Sequence, residues 1–245
     1  MATAKSKTTL AAPAAKTAEG RTRTAYEGIR RMLFHNEIVP GQKISYRDLS
    51  ERLGMSQTPV IQALKWLEFQ QLVRHEPNRG YYTAPISLQE VDEIYDLRSL
   101  IELDLLAWSI RRIDADGLRQ LSRALDAHLK ASRQIHLYDR LEQDMRFHLT
   151  LASLAGRRMQ LRTLNNLFDL LYLKYGGKFL FSSSMDSADT DHMALFACFE
   201  KKDLKGARQR LARHIRRVKK HVLQGVEKMI TQMGELKGGT LWGSH

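Results

Sequence analysis

The chain is 245 residues long, 43% hydrophobic and 27% charged, with a formal net charge of +12 and a single cysteine, Cys198. That apolar share builds a core and excludes disorder throughout, while one cysteine excludes a disulfide framework and a thiolate zinc module. No run approaches the ~18 apolar residues of a membrane span, and no apolar stretch follows the N-terminal lysines, so a cytoplasmic protein with a polyanionic partner and no membrane partner is expected.

Residues 1–22 are rich in Ala, Thr and Lys and hold almost no large apolar side chains. They cannot bury enough surface to offset the entropy of ordering, so a flexible basic arm is expected there. From 23 to 85 the chain reads as a compact series of short elements. Ala25, Ile29, Met32 and Leu33 recur at helical spacing, and Pro40-Gly41 marks a turn. Leu49 and Leu53 give a short helix from Tyr46, stopped by Gly54. Ser56-Gln57-Thr58-Pro59 reads as a helix start, with a hydroxyl cap and Pro at the first helical position. Val60, Leu64 and Leu67 form the apolar face of that helix. Leu72-Val73 and Tyr81-Tyr82-Thr83 then flank Pro77-Asn78-Arg79-Gly80, which predicts a β-hairpin. Three helices and a hairpin are the layout of a winged helix-turn-helix, which sets the start of its third helix against base edges in the major groove.

After Pro85 every segment reads as amphipathic helix, over 88–111, 115–132, 137–155, 158–176, 188–201 and 204–230. Gly156, Gly176-Gly177 and the serines from Ser182 to Ser184 mark the breaks. The fold predicted is mainly α: the winged module over 23–85, an all-α helical bundle over 86–232 and a flexible tail over 233–245. The charge divides evenly, +6 in 1–85 and +6 in 86–245, with 10 basic and 2 acidic residues concentrated in 205–237. That run reads as a solvated helix face, or as one lying beside DNA.

Polar residues interrupt the apolar stripes of the bundle. Leu137, Leu141, Asp144, His148, Leu151 and Ala155 share one face at spacings of three and four. Asp144 and His148, four apart, can chelate one ion. His192 lies with Leu195, Phe196 and Phe199, and His214 with Ala207, Leu211, Val218 and Val222. A lone histidine on such a face is an ordinary core residue; one Asp and three His from three helices, all pointing inward, read as a divalent-metal site. An unpaired buried carboxylate would be costly, which calls for a counter-charge. Imidazole and carboxylate suit zinc foremost, and also nickel, manganese or iron. No additional carboxylate is expected near the set. His35, His75, His128, His136, His221 and His245 give no constellation.

The run from Pro40-Gly41-Gln42-Lys43-Ile44 through Tyr46-Arg47-Asp48-Leu49 to Ser56-Gln57-Thr58-Pro59-Val60, with Ala63-Leu64, Leu67-Glu68, Leu72-Val73 and Pro77-Asn78-Arg79-Gly80, resembles the DNA-binding domain of the GntR family over about 60 residues. The resemblance implies that Arg47, Ser56, Gln57, Thr58 and Gln62 face DNA, with Arg79 and Gly80 at the tip of the wing. Gln57 and Ile61 stand where the family usually has Arg. Gln pairs with adenine where Arg prefers guanine, so a different operator half-site is expected.

Asp144-x3-His148, the His192 segment, and Ala207-Arg208 through His214-Ile215 resemble the FCD ligand-binding domain of the FadR subfamily, in its six-helix VanR-like branch. The resemblance implies Asp144, His148, His192 and His214 as metal ligands. It also implies Arg98, in Tyr95-Asp96-Leu97-Arg98, as an effector-binding residue; an ion pair with Glu102 at i+4 is the competing reading. Arg157-Arg158 stand where the family often has Asn-Pro, which leaves the helix boundary there open.

The function expected is a ligand-responsive transcriptional regulator and not an enzyme. It would be a repressor acting as a homodimer on a pseudo-palindromic double-stranded DNA operator, with a small carboxylate as effector. A purely structural metal is the first alternative. A metal enzyme fused to a DNA-binding domain, using an open metal position to activate water, is the second.

Overall fold

The computed structural model describes residues 17–85, 87–133, 137–174 and 186–238. The winged module is built from α1 (Ala18–Phe34), β1 (Lys43–Ile44), α2 (Tyr46–Leu53), α3 (Gln57–Phe69), β2 (Val73–Glu76) and β3 (Gly80–Thr83). The bundle comes next, with α4 (Leu88–Arg112), α5 (Ala115–Ser132), α6 (Leu137–Ser153), α7 (Arg158–Asp169), a π-helical turn (Leu170–Lys174), α8 (Asp186–Glu200) and α9 (Leu204–Gly238). No helix among the described residues is long and apolar enough to cross a membrane.

Local chemistry sets most boundaries. Ser45 caps α2 by accepting from Asp48 N at 3.2 Å. Gly54 ends it at φ +62, a left-handed position where a side chain is strained. α1 and α3 pack across one another through Ile29, Leu33, Val60, Leu64 and Leu67, all buried to 1% or less. Helix α3 is thereby fixed with its N-terminal end exposed.

Four details depart from the sequence reading. Residues 18–22 of the expected arm are helical, because Thr17 caps α1 by accepting from Gly20 N at 3.0 Å and Thr22 is buried; residues 1–16 lie outside the described residues. The expected hairpin is a three-stranded antiparallel sheet in the order β1-β3-β2, with Lys43 opposite Tyr82 and Ile44 opposite Tyr81. Helix α3 begins at Gln57, so Pro59 is its third residue, still within the turn whose N–H groups need no helical partner. At the other end of the chain, α9 continues through 233–238, where a flexible tail was expected; 239–245 lie outside the described residues. The breaks expected at Gly176-Gly177 and from Ser182 to Ser184, together with His136 and His245, also fall outside them.

The helical segments of the bundle sit close to where periodicity puts them, except that the one expected over 158–176 is α-helical only to Asp169 and then turns as a π-helix to Lys174. Ser87 caps α4 and Asp114 caps α5. Leu105, Leu106, Leu121, Leu141, Phe147, Leu151, Leu164, Phe168, Phe199, Leu211 and Val222 share one core. The boundary at Arg157-Arg158 is a helix start: Arg157 is the N-cap of α7, and its guanidinium lies 3.8 Å from the centre of the Trp108 ring on α4.

The modules meet along a seam between α1 and the bundle. Asp169 binds both terminal nitrogens of Arg30, at 2.8 and 2.7 Å. The Tyr138 hydroxyl donates to the His35 carbonyl and accepts from Asn36 Nδ2, both at 3.0 Å. Leu173 of the π turn is buried with Ile29, Leu33 and Leu67 in the core of the winged module.

Candidate functional site

Three helices of the bundle bring Asp144, His148, His192 and His214 together. One ligand-type atom from each lies within 4.8 Å of all the others. Asp144 and His148 are one turn apart on α6, His192 comes from the middle of α8 and His214 from α9. Apolar neighbours on the same faces, Leu141, Leu151, Leu195, Phe199, Leu211 and Val222, turn all four inward, and none is more than 6% exposed. His148 Nε2, His214 Nε2 and both ring nitrogens of His192 are buried without a hydrogen-bond partner. Leaving such groups unpaired costs several kcal/mol in sum, at about 1–3 kcal/mol each. A divalent cation bound by three of these four nitrogens and one carboxylate oxygen removes most of that cost, so the residues fit a metal.

Two carboxylates orient this set, where none was expected near it; Glu102 entered the sequence reading only as a partner for Arg98. Glu102, fully buried on α4, lies 2.6 Å from His148 Nδ1 through Oε2 and binds Arg98 Nε through Oε1. Burial alone would raise its pKa; the Arg98 guanidinium and His148 overcome that and hold it at about 2. An ionised carboxylate only accepts, so the proton sits on His148 Nδ1 and Nε2 is left to the site. Asp191 does the same for His214, with 3.0 Å to Nδ1, and is itself bound by Arg217. Although burial opposes it, the His214 and Arg217 contacts hold the Asp191 carboxyl below its ordinary range. Burial first, then neighbouring His214 and His148, push His192 well below 6.5. Burial also lowers His214, against the raising effect of Asp191. Both rings are therefore neutral at neutral pH.

His128 joins the cluster as well. It is fully buried, its Nε2 is 3.0 Å from Asp189 Oδ1, and its ring centre is 4.5 Å from that of His192. Ser132 donates to the other Asp189 oxygen at 2.6 Å. Tyr172, raised well above 10 by burial, stays protonated and donates to Asp144 Oδ2 at 3.5 Å.

The ion pair expected of Arg98 as the competing reading is present. Its Nε pairs with Glu102, while Nη1 and Nη2 are buried without a hydrogen-bond partner. The guanidinium lies 4.5 Å from the centre of the Phe168 ring and 5.5 Å from that of Tyr95. A fully buried cation with two open donors is a fit for an anionic group.

On the winged module, Arg47, Ser56, Gln57, Thr58, Gln62 and Arg79 are all exposed and Gly80 is half-buried. Ser56 is the N-cap of α3, but its hydroxyl makes no capping bond. Arg47 is held loosely, with Nε 3.3 Å from Glu51 and 80% of its side chain exposed. Asn78 (φ +63) and Gly80 (φ +97) turn the wing around Arg79, whose guanidinium is 3.4 Å from Glu76.

A winged helix-turn-helix set on an all-α bundle with a buried polar centre defines a two-module DNA-binding regulator. Residues 21–82 match the bacterial regulatory proteins of the gntR family, and residues 93–217 match the FCD domain. The chain belongs to the GntR family, as a DNA-binding transcriptional regulator with an FCD ligand-binding domain. The transcriptional repressor RspR of Escherichia coli is 26% identical over 199 residues, which span 81% of this chain and 87% of RspR. The transcriptional regulator YdhC of Bacillus subtilis is 23% identical over 207 residues, spanning 82% of this chain and 91% of YdhC. The solved structure of Escherichia coli McbR/YncC superposes with a TM-score of 0.73 at 18% identity, covering 86% of this chain and 98% of that one.

Proposed function

We propose that this regulator is a homodimeric repressor that releases its operator when a small organic acid enters a metal-containing site in the bundle. The observation that carries the reading is the set of buried, unpartnered nitrogens: those of His148, His192 and His214 beside Asp144, and Nη1 and Nη2 of Arg98. The imidazoles and Asp144 would hold a divalent ion, zinc foremost, with nickel, manganese or iron as alternatives. When bound, that ion supplies a positive centre able to take a carboxylate oxygen. Arg98 would meet the other end of the acid through its two free donors. For the acid to regulate, it must bind the DNA-competent and DNA-incompetent geometries with different affinity.

The DNA contacts proposed are Arg47, Ser56, Gln57, Thr58 and Gln62 on α2 and α3, with Arg79 and Gly80 in the wing. Their exposure around the uncapped start of α3 supports this docking. A homodimer matches a pseudo-palindromic operator. Exposed Leu97 (49%) and Leu100 (69%) on α4, and Met159 (73%) on α7, which Gln160 ties to α4 through Asp104, would supply an apolar surface for it. Repression takes support from RspR, which is named a repressor. A duplex-DNA partner supports work in the cytoplasm.

Elemental analysis of tag-free protein and mass spectrometry of co-purified small molecules test the reading together. Protein without stoichiometric metal would sink the metal site, leaving the histidines to hydrogen-bond the effector directly. The near-complete burial of all four ligands favours a second reading, in which the ion is purely structural. His148→Ala separates the two. A variant that melts earlier yet still answers the effector supports the structural role; one that stays folded and loses the response supports sensing.

A further inference from the structure

Two of the three imidazoles in the site are anchored in the same way. A carboxylate, Glu102 for His148 and Asp191 for His214, holds Nδ1, and Nε2 is left to the site. His192 is oriented alike, with Nε2 3.7 Å from Asp144 Oδ1. Its Nδ1 is the exception, buried without a hydrogen-bond partner of any kind. Once Nε2 gives its lone pair to an ion, Nδ1 carries the proton of the ring, and a buried N–H needs an acceptor.

The neighbouring ring offers one. His128 on α5 is fully buried, and its centre lies 4.5 Å from that of His192 with 67° between planes. It is held from behind: Nε2 is 3.0 Å from Asp189 Oδ1, and Ser132 donates to Oδ2 at 2.6 Å. A carboxylate only accepts, so His128 Nε2 carries the proton and Nδ1 keeps the lone pair. That Nδ1 is buried without a partner as well. An unmet donor and an unmet acceptor therefore stand on adjacent rings. The other rings against His192 are His148 and His214, whose Nδ1 atoms are taken, and Phe147, which has no polar atom. A straight N–H···N bond sets two imidazole centres about 5 Å apart, and the χ2 torsion of histidine is soft, so a small rotation closes the contact.

We propose that His128 is the positioning residue for His192, its Nδ1 accepting from His192 Nδ1–H while Asp189, braced by Ser132, fixes the His128 ring. The role rests on the metal reading above. It gives His192 the anchor that Glu102 gives His148 and Asp191 gives His214. The contacts close a loop between two helices, from His192 on α8 to His128 on α5 and back through Asp189 to α8.

NMR of the full-length chain with isotope-labelled histidine nitrogens, metal-stripped and then loaded with zinc, tests this. In the loaded wild type, His192 Nδ1 should be protonated and coupled across the hydrogen bond to His128 Nδ1. Two substitutions separate the acceptor from the filling of space. His128→Gln sets its amide near the place of Nε2, keeping a donor for Asp189 and removing the acceptor. His128→Asn sets a carbonyl oxygen near the place of Nδ1 and keeps the acceptor. Zinc affinity should fall about 10–100-fold in His128→Gln and be largely retained in His128→Asn. With His192→Ala in the background, the difference between the two should vanish. A folded His128→Gln that binds zinc as wild type does overturns the role, even if it melts earlier. So does a loaded wild type in which His192 Nδ1 shows no coupling to His128, a result that depends on no variant. If zinc shifts the His148 and His214 signals and that coupling is absent, the role of His128 falls alone; if zinc shifts none of the three ligand histidines, the metal reading falls with it.

Discussion

Replacing Glu102 by Gln probes the group that ties Arg98 to His148. The amide resembles the protonated acid in shape and removes only the charge. Lowering the pKa from 4.5 to about 2 on folding corresponds to about 3 kcal/mol of stability at neutral pH, at ~1.4 kcal/mol per tenfold. An independent route gives the same size: removing one partner of a buried ion pair costs about 3–5 kcal/mol, because Arg98 is left buried and uncompensated. The sign comes from the depressed carboxyl. Its contribution is complete above pH 4.5, narrows to about 2 kcal/mol near pH 3.5, and vanishes as pH falls through about 2. For a chain of this length, about 3 kcal/mol is roughly 6–12 °C in Tm. Thermal melts of metal-stripped Glu102→Gln and wild type at pH 7 and pH 3.5 check this, and zinc titration should show a loss of affinity of about 10–100-fold. A variant within about 1 kcal/mol of wild type at pH 7, or a gap that does not narrow at acid pH, refutes the reasoning.

Arg47→Ala should weaken DNA binding and flatten its salt dependence, while thermal stability shifts by less than about 0.5 kcal/mol, since the Arg47–Glu51 pair is exposed; an unchanged salt slope counts against the docking. Gln57→Arg should move the sequence recovered by selection from random DNA toward guanine; recovery of the wild-type site rejects the specificity argument. Metal-stripped protein should lose stability as pH falls below 6.5, because His192 and His214 are held neutral in the fold and take up protons once unfolded. A Tm independent of pH between 7 and 5 in metal-free wild type contradicts that environment.

Periodicity made the helices legible. Gly54 ends α2 as expected, whereas Ser56, the hydroxyl expected to cap α3, makes no capping bond; an inward Asp144, His148, His192 and His214 are visible as polar breaks in apolar stripes. His128 carried the same signal, aligned with Leu121 and Leu125 on α5, but no local partner distinguished it from a core histidine. Glu102 and Asp191 did not stand out. Glu102 forms an i,i+4 pair with Arg98 that looks like surface chemistry, and its burial depends on the helices packed over α4. Asp191 finds His214 only across the α8–α9 contact. Strand β1, two residues long, is too short to alternate. The π turn lies within Leu170-Leu171-Tyr172-Leu173, an apolar run because two cores claim it, and such a run shows no periodicity.

The open hydroxyl of Ser56 has an energetic consequence for the first module. Helix α3 starts without a side-chain cap, and the N–H groups of its first turn have no partner within the helix. In the proposed docking, a phosphate oxygen of the duplex completes that end, satisfying donors that folding left to water. The stabilisation a cap normally gives to a protein, about 1 kcal/mol, is thus withheld from the free regulator and released on DNA. The reading helix is finished by what it reads.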